Sequence, residues 1–256
     1  MTTPSFSQSA DKTYILVHGA GHGAWCWKKV IPLLESKGRK VLALDLPSSG
    51  NDKAILERMA LAGDVKKVTD VANTQSGKVI LVGHSSGGVV ISQAAEILGS
   101  EKVDKLVYLD AFLPQHGESV FSLADKIKVN NAKASSPETE ISAAPLLFSE
   151  DGKIAIWNPE IVEQFFYHDC SPEDIAYAKT HLRSHAVASL ATPVKVTENR
   201  YGIIPKYYIL CTEAKDLDKS SIVQNMPCQQ VFELPSSHSP FFSMPEKLVE
   251  ILEEVY

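Results

Sequence analysis

No stretch of the chain approaches the ~20 consecutive apolar residues that a membrane-crossing helix needs, so none is expected. Basic residues are outnumbered, 25 Lys and Arg against 31 Asp and Glu, and they gather nowhere into a cluster. The resulting net charge of −6 lacks the basic face of a nucleic-acid binder and argues against electrostatic attachment to a membrane surface. Cysteine is scarce. Cys26, Cys170, Cys211 and Cys228 lie far apart without CxxC spacing, so neither a disulfide framework nor a thiolate metal site is expected. Thiols used in this way fit a reducing compartment. The opening MTTPSFSQSADKT lacks the basic start and apolar core of a secretory leader, and a cytoplasmic location is expected. His116, His168, His181 and His185 form no metal-ligand spacing with Asp, Glu or Cys. Repeats and low-complexity tracts are also missing.

What remains is an ordinary globular composition, 44% hydrophobic and 22% charged, over 256 residues. That length suits one domain with an inserted subregion. Short apolar runs recur at Tyr14–Val17, Lys40–Leu44, Lys78–Val82, Lys105–Leu109, Lys206–Cys211 and Gln229–Leu234. Helix-length amphipathic stretches lie between several of them, at Trp27–Lys37, Ser86–Leu98 and Pro240–Val255. Strands apolar on both faces that alternate with helices predict a mostly parallel sheet with helices on both faces. The alternation fails between about Pro114 and Val196, where Ser, Pro and charges increase. Two helical patterns stand out there, near Asn158–Phe166 and Ser171–Arg183; the second opens with a good N-cap, Ser-Pro-Glu-Asp. The expected organisation is an N-terminal tail (1–12), a core (13–113 and 197–256) and a small inserted cap (114–196).

The most informative segment is Gly83-His-Ser85-Ser-Gly87, a G-x-S-x-G motif with an apolar strand before it and a helical pattern after it. A strand that passes into a helix through one strained serine needs small residues two before and two after, and the serine Oγ then projects above the sheet. Ser85 is therefore the expected nucleophile. Upstream, His18-Gly-Ala20-Gly-His22-Gly follows another strand, where an α/β-hydrolase supplies one oxyanion-hole N–H. Ala20 and Ser86 are the expected donors. His18 is expected to hold the loop's backbone, and His22 either to brace the loop or to line the pocket. This loop lacks the Gly-Lys-Ser/Thr ending and the G-x-G-x-x-G spacing of nucleotide binders.

The base should follow the last strand, and His238 does. The acid is sought after the preceding strand, where Glu213, Asp216 and Asp218 compete. Asp216 is preferred, because its distance from Cys211 suits the reach of the loop. Asp218 falls where an acid would cap the next helix. Trp157, Phe165, Phe166 and Tyr167 are candidates either for an apolar pocket, with His22, or for the core of the cap.

The segments His18–Trp25, Gly83–Gly88 and Arg200–Glu213, with the Cys170–Asp174 helix start, resemble the plant methylesterase and hydroxynitrile lyase branch of the α/β-hydrolases. Leu234–Pro245 is more similar to related bacterial carboxylesterases. The resemblance spans about residues 13–256. It implies an α/β-hydrolase fold, a small ester as substrate, Ser85 as nucleophile, His238 as base, Ala20 and Ser86 as oxyanion donors, and no cofactor. A homodimer is compatible with it. Two positions depart from the lyases, which carry Thr after the strand-end His and Lys after the triad His; here they hold Gly19 and Ser239. The methylesterases resemble Cys-Thr-Glu-Asp-Lys where Ala214 now replaces the Asp, which leaves the acid open. A cyanohydrin lyase and a weakly hydrolytic ligand-binding receptor are the alternative readings.

Overall fold

A computed structural model describes residues 12–134 and 145–256; of the expected tail only Lys12 lies within them. Among these residues ten strands follow in chain order. They are β1 (Thr13–Val17), β2 (Lys40–Leu44), β3 (Ser49–Gly50), β4 (Val79–His84), β5 (Val103–Leu109), β6 (Leu146–Phe148), β7 (Ile154–Trp157), β8 (Ser184–Ala186), β9 (Lys206–Cys211) and β10 (Gln230–Leu234).

Six of them form one sheet in the order β10-β9-β5-β4-β1-β2, with every neighbouring pair parallel. The reason lies in the side chains. β1 and β4 are buried along their whole length. Their residues alternate between two apolar layers, as the two-residue period of a strand requires. Ile15, Val17, Leu81, Leu106 and Tyr108 face one layer, which is covered by the helices Leu61–Asn73 and Gly87–Leu98. Tyr14, Leu16, Ile80, Val82 and Val107 face the other, covered by the helices Val30–Ser36 and Pro245–Val255. Each fully buried Leu, Ile or Val side chain contributes roughly 1.5–3 kcal/mol of transfer free energy. A strand with no polar face cannot sit at a wetted surface, so helices on both sides are obligatory.

The six strands match the expected runs to within two residues at their ends. The Leu61–Asn73 helix was not anticipated, although its buried Leu61, Val65, Val68 and Ala72 have helical spacing. The intervening Ser49–Ala60 stretch is polar and short-ranged in its pattern, and it hid the start.

Strand order reverses between β1 and β4, the type of place where open parallel sheets bind ligands. Register makes that end level: Val17 pairs with Gly83, His84 with Leu109, and Leu109 with Ile209. The loops after β1, β4 and β5 therefore leave the sheet at one height.

Over this end lies the inserted region. It contains the helices Val162–Phe166, Pro172–His181 and Val187–Ala191 and a second, antiparallel sheet in the order β3-β8-β7-β6. Ser171 caps the Pro172–His181 helix by accepting from the Asp174 N–H. The strands were not anticipated. One of them, β3, comes from residues 49–50, ahead of the insert, and pairs Ser49 with His185. His185 is further held by Ser49 Oγ at 2.8 Å. Among the described residues no helix is long and apolar enough to cross a membrane.

Candidate active site

Two non-glycine residues among those described have positive φ: Ser85 at 53° and Asp110 at 42°. Such a conformation costs of order 1–3 kcal/mol and persists only where the surroundings impose it. At Ser85 they do. Its N–H donates to Leu109 O (3.3 Å), and its carbonyl accepts from Gly88 N (3.1 Å) and Phe112 N (3.0 Å). The flanking glycines allow the turn to close: a Cβ on Gly83 would lie 2.7 Å from Gly87 O, and one on Gly87 2.8 Å from His18 O. Ser86 then precedes the Gly87–Leu98 helix, whose N-terminal dipole favours negative charge nearby. Gly19 is also constrained, because a Cβ there would come within 2.7 Å of Ser85 Cβ.

The loop after β1 is built around two buried histidines. Leu46 N donates to His18 Nε2 (3.1 Å), which leaves Nδ1–H to donate to Gly19 O (2.8 Å). His22 Nδ1 lies 3.0 Å from Ala20 O, and Tyr167 Oη lies 2.7 Å from His22 Nε2. The Ala20 carbonyl also accepts from Trp157 Nε1 (2.7 Å). Burial lowers His18 to about 4 and His22 to about 3, against modest upward pulls from their backbone hydrogen bonds. Both are therefore neutral. His22 is not among the residues that line the cavity at Ser85; it braces the carbonyl of Ala20.

His238 sits in the loop after β10 and is buried. Its Nδ1 is 2.5 Å from Asp110 Oδ2 and 3.6 Å from Asp216 Oδ1. The carboxylate hydrogen-bonded to His238 is thus Asp110, not Asp216, which corrects the sequence-based choice. Asp110 leaves β5 one residue beyond Leu109, at the height set by the register, and its αL backbone swings the side chain towards the histidine. Short polar residues tolerate that conformation best. Asp110 follows β5, not β9, after which the sequence offers its other candidate acids. Its sequence signal is a lone acid, Leu109-Asp110-Ala111, at the very end of an apolar strand. Asp218 accepts from Ser220 N (2.9 Å) at the start of the next helix, and Glu213 is exposed.

With Nδ1–H donated to Asp110, the Nε2 of His238 carries the lone pair that a general base needs. His84 Nε2 lies 2.9 Å from the His238 carbonyl oxygen and tethers the loop. Burial alone would push the Asp110 carboxyl up; the Lys219 ammonium and the His238 hydrogen bond outweigh it and hold Asp110 below its ordinary value. Asp110, Asp216 and His238 offer ligand atoms within 4.8 Å of one another, the spacing of a metal site. The cation between the two carboxylates is the protein's own: Lys219 Nζ, 2.9 Å from Asp110 and 2.8 Å from Asp216.

A cavity of about 530 Å³ opens onto this arrangement. Ala20, Ser85, Ser86 and Asp216 line its floor, while Trp157, Phe165, Phe166 and Phe112 line its apolar wall. Trp157 and Phe165 thus face the cavity. Tyr167 is fully buried and serves the cap core and His22.

Residues 14–251 match a protein family described as "Alpha/beta hydrolase family". The chain is similar to putative methylesterase 15, chloroplastic, of Arabidopsis thaliana, with 33% identity over 257 residues covering 95% of this chain and 56% of that protein. The chain therefore spans little more than half of that relative. Methylesterase 7 of Arabidopsis thaliana is 32% identical over 257 residues, which cover 96% of each. Among solved structures, polyneuridine aldehyde esterase superposes with a TM-score of 0.82 at 26% identity, covering 96% of this chain and 99% of that one.

Proposed function

The chain belongs to the alpha/beta hydrolase family, on its methylesterase-like branch, and on that premise we propose that it hydrolyses small carboxylic esters through a Ser85–His238–Asp110 triad. The observation that carries this reading is Ser85 itself, strained at positive φ on the floor of an apolar cavity it shares with Ala20 and Ser86. Strain of this kind marks a nucleophile held out for attack.

In this mechanism His238 Nε2 takes the Ser85 proton as Oγ bonds to the ester carbonyl carbon. The carbonyl electrons move to oxygen, where the Ala20 and Ser86 N–H groups receive them; one such donor is worth about 3–4 kcal/mol in the transition state. Asp110 stabilises the imidazolium without taking its proton. Collapse breaks the bond to the alcohol, which leaves with the proton from His238. Water, deprotonated by the same histidine, then releases the carboxylic acid and restores Ser85. No cofactor enters.

The cap of residues 114–196, set over a core of 13–113 and 197–256, selects the substrate by supplying the aromatic wall. A cavity of this size suits an ester of small-molecule dimensions. Cyanohydrin cleavage is less well supported. The place of the lyases' lysine is Ser239, and the lysine this site does hold, Lys219, lies behind Nδ1 of His238 with the carboxylates. The four free thiols support a reducing compartment, and the cytoplasm is the location proposed.

Turnover of p-nitrophenyl acetate tests the reading. Ser85→Ala should lower kcat by on the order of 10⁶ with an unchanged melting profile. A folded Ser85→Ala protein that retains most of its activity would remove Ser85 from the mechanism.

A further inference from the structure

Behind His238 lies a group that a Ser-His-Asp triad does not require. Lys219 is fully buried, and all three of its ammonium hydrogens have an acceptor: Asp110 Oδ2 (2.9 Å), Asp216 Oδ2 (2.8 Å) and Leu217 O (3.3 Å). The other oxygen of Asp216, Oδ1, is buried, has no hydrogen-bond partner among the described residues, and lies 3.6 Å from His238 Nδ1. Two carboxylates therefore face one imidazole nitrogen, and one ammonium sits between them.

Charge counting shows what this does. Asp110 and Asp216 bring two negative charges and Lys219 one positive, so His238 meets a net charge of −1. Without the lysine, two like charges would share a dry site, and one would be driven to take a proton. Without Asp216, the Asp110–Lys219 pair would be neutral, and the imidazolium formed during acylation would lose its net counter-charge.

We propose that Lys219 and Asp216 are positioning residues of the catalytic histidine: Lys219 pins Asp110 and cancels one carboxylate, and Asp216 restores the single negative charge that the imidazolium needs. The directions of the buried groups agree. Burial opposes the charged form of Lys219, yet its two carboxylates hold it well above the ordinary lysine range.

The other groups around His238 do not supply this charge. His84, from β4, has its ring tilted against that of His238 with centroids 4.4 Å apart, and His22 lies beyond; burial lowers both histidines, so they are neutral. From the cap, Phe166 offers an apolar ring at 5.3 Å. Asp169 is committed to the Ser237 N–H at 2.8 Å.

The proposal rests on His238 being the base, and its test separates the two ideas by reading the imidazole directly. The His238 Hε1 resonance, assigned by its loss in His238→Gln, is followed by NMR against pH in the full chain, alongside the acid limb of kcat/KM for p-nitrophenyl acetate. Asp216→Asn should lower the midpoint of the His238 titration by about one unit or more, since a neighbouring charge at this range moves an ionisation by one to three units. Adding Lys219→Met to Asp216→Asn removes one charge of each sign relative to the starting chain, and should return the midpoint to near the wild-type value. A purely structural role would alter melting temperature or kcat without opposite, cancelling shifts. An unmoved midpoint in Asp216→Asn, or a double variant whose midpoint stays at that of Asp216→Asn, overturns the proposal. Cancelling shifts without ester turnover would uphold it and refute the esterase reading instead.

Discussion

Asp110 and Asp218 show how much a residue's role depends on where its backbone stands. Both are acids in or after an apolar strand's end, yet one is fully buried against His238 and the other is exposed at a helix start. Asp110→Asn keeps the shape but favours the wrong imidazole tautomer, and kcat should fall by about 10⁴. Asp218→Asn replaces one good capping side chain with another, so activity and stability should both stay within a small factor of the parent. Parallel kcat and thermal-melt measurements on the two variants check this. An inactive Asp218→Asn beside an active Asp110→Asn would return the acid to the loop after β9.

At the scale of elements, the question is how the cap reaches the chemistry. Strand β7 ends in Trp157, whose Nε1–H reaches Ala20 O and whose ring packs edge-on against Phe166 at 4.6 Å. The Ala20 carbonyl is held by both His22 and Trp157, so a cap strand fixes the peptide that follows Ala20 and, through its Cα, the orientation of the preceding peptide, whose Ala20 N–H should point at the oxyanion. Trp157→Phe keeps most of the apolar wall and removes the donor. One hydrogen bond of about 1 kcal/mol corresponds to roughly a five- to tenfold loss of rate. Expected, therefore, is a kcat lower by about that factor with KM nearly unchanged. A change confined to KM would make Trp157 a pocket wall only.

The whole molecule carries an acid sensitivity of its own. His18, His22 and His185 are buried and lowered to about 4, 3 and 3, and His84 is also held well below its ordinary value, by burial and by the neighbouring histidine His238. In the unfolded chain the same residues titrate near ~6.5. Between those limits the unfolded state binds more protons, so stability rises with pH through this window. Their contribution is fully present above about pH 6.5 and is lost as pH falls towards 4. Each histidine weakens the fold by up to about 1.4 kcal/mol per pH unit, so several kcal/mol should vanish between about pH 7 and 5. Urea midpoints measured at pH 7.5, 6.5 and 5.5 should fall progressively; a constant midpoint would mean that these histidines are not held neutral.

The sequence by itself determines what local rules reach. Six strands, the Gly83–Gly87 elbow, the Ala20 loop and the position of His238 all declare themselves over a few consecutive residues. Two-sided burial demands unbroken apolar runs, and a strained serine demands small neighbours at fixed offsets. What the tertiary structure decided are the pairings between distant segments. Asp110 reaches His238 across 128 positions of chain because β5 and β9 are in register and an αL turn ends β5. Lys219 lies between Asp110 and Asp216 for the same reason. Residues 49–50 join a sheet otherwise made by the insert, and two residues are too short to show a strand period of their own in the sequence. His22 looks alike in sequence whether it braces a loop or lines a pocket; only the Tyr167 hydroxyl and the Ala20 carbonyl, brought from separate segments, separate the two. A periodicity is a property of neighbours along the chain, whereas a hydrogen bond to a buried carboxylate is a property of neighbours in space, and folding makes the second kind.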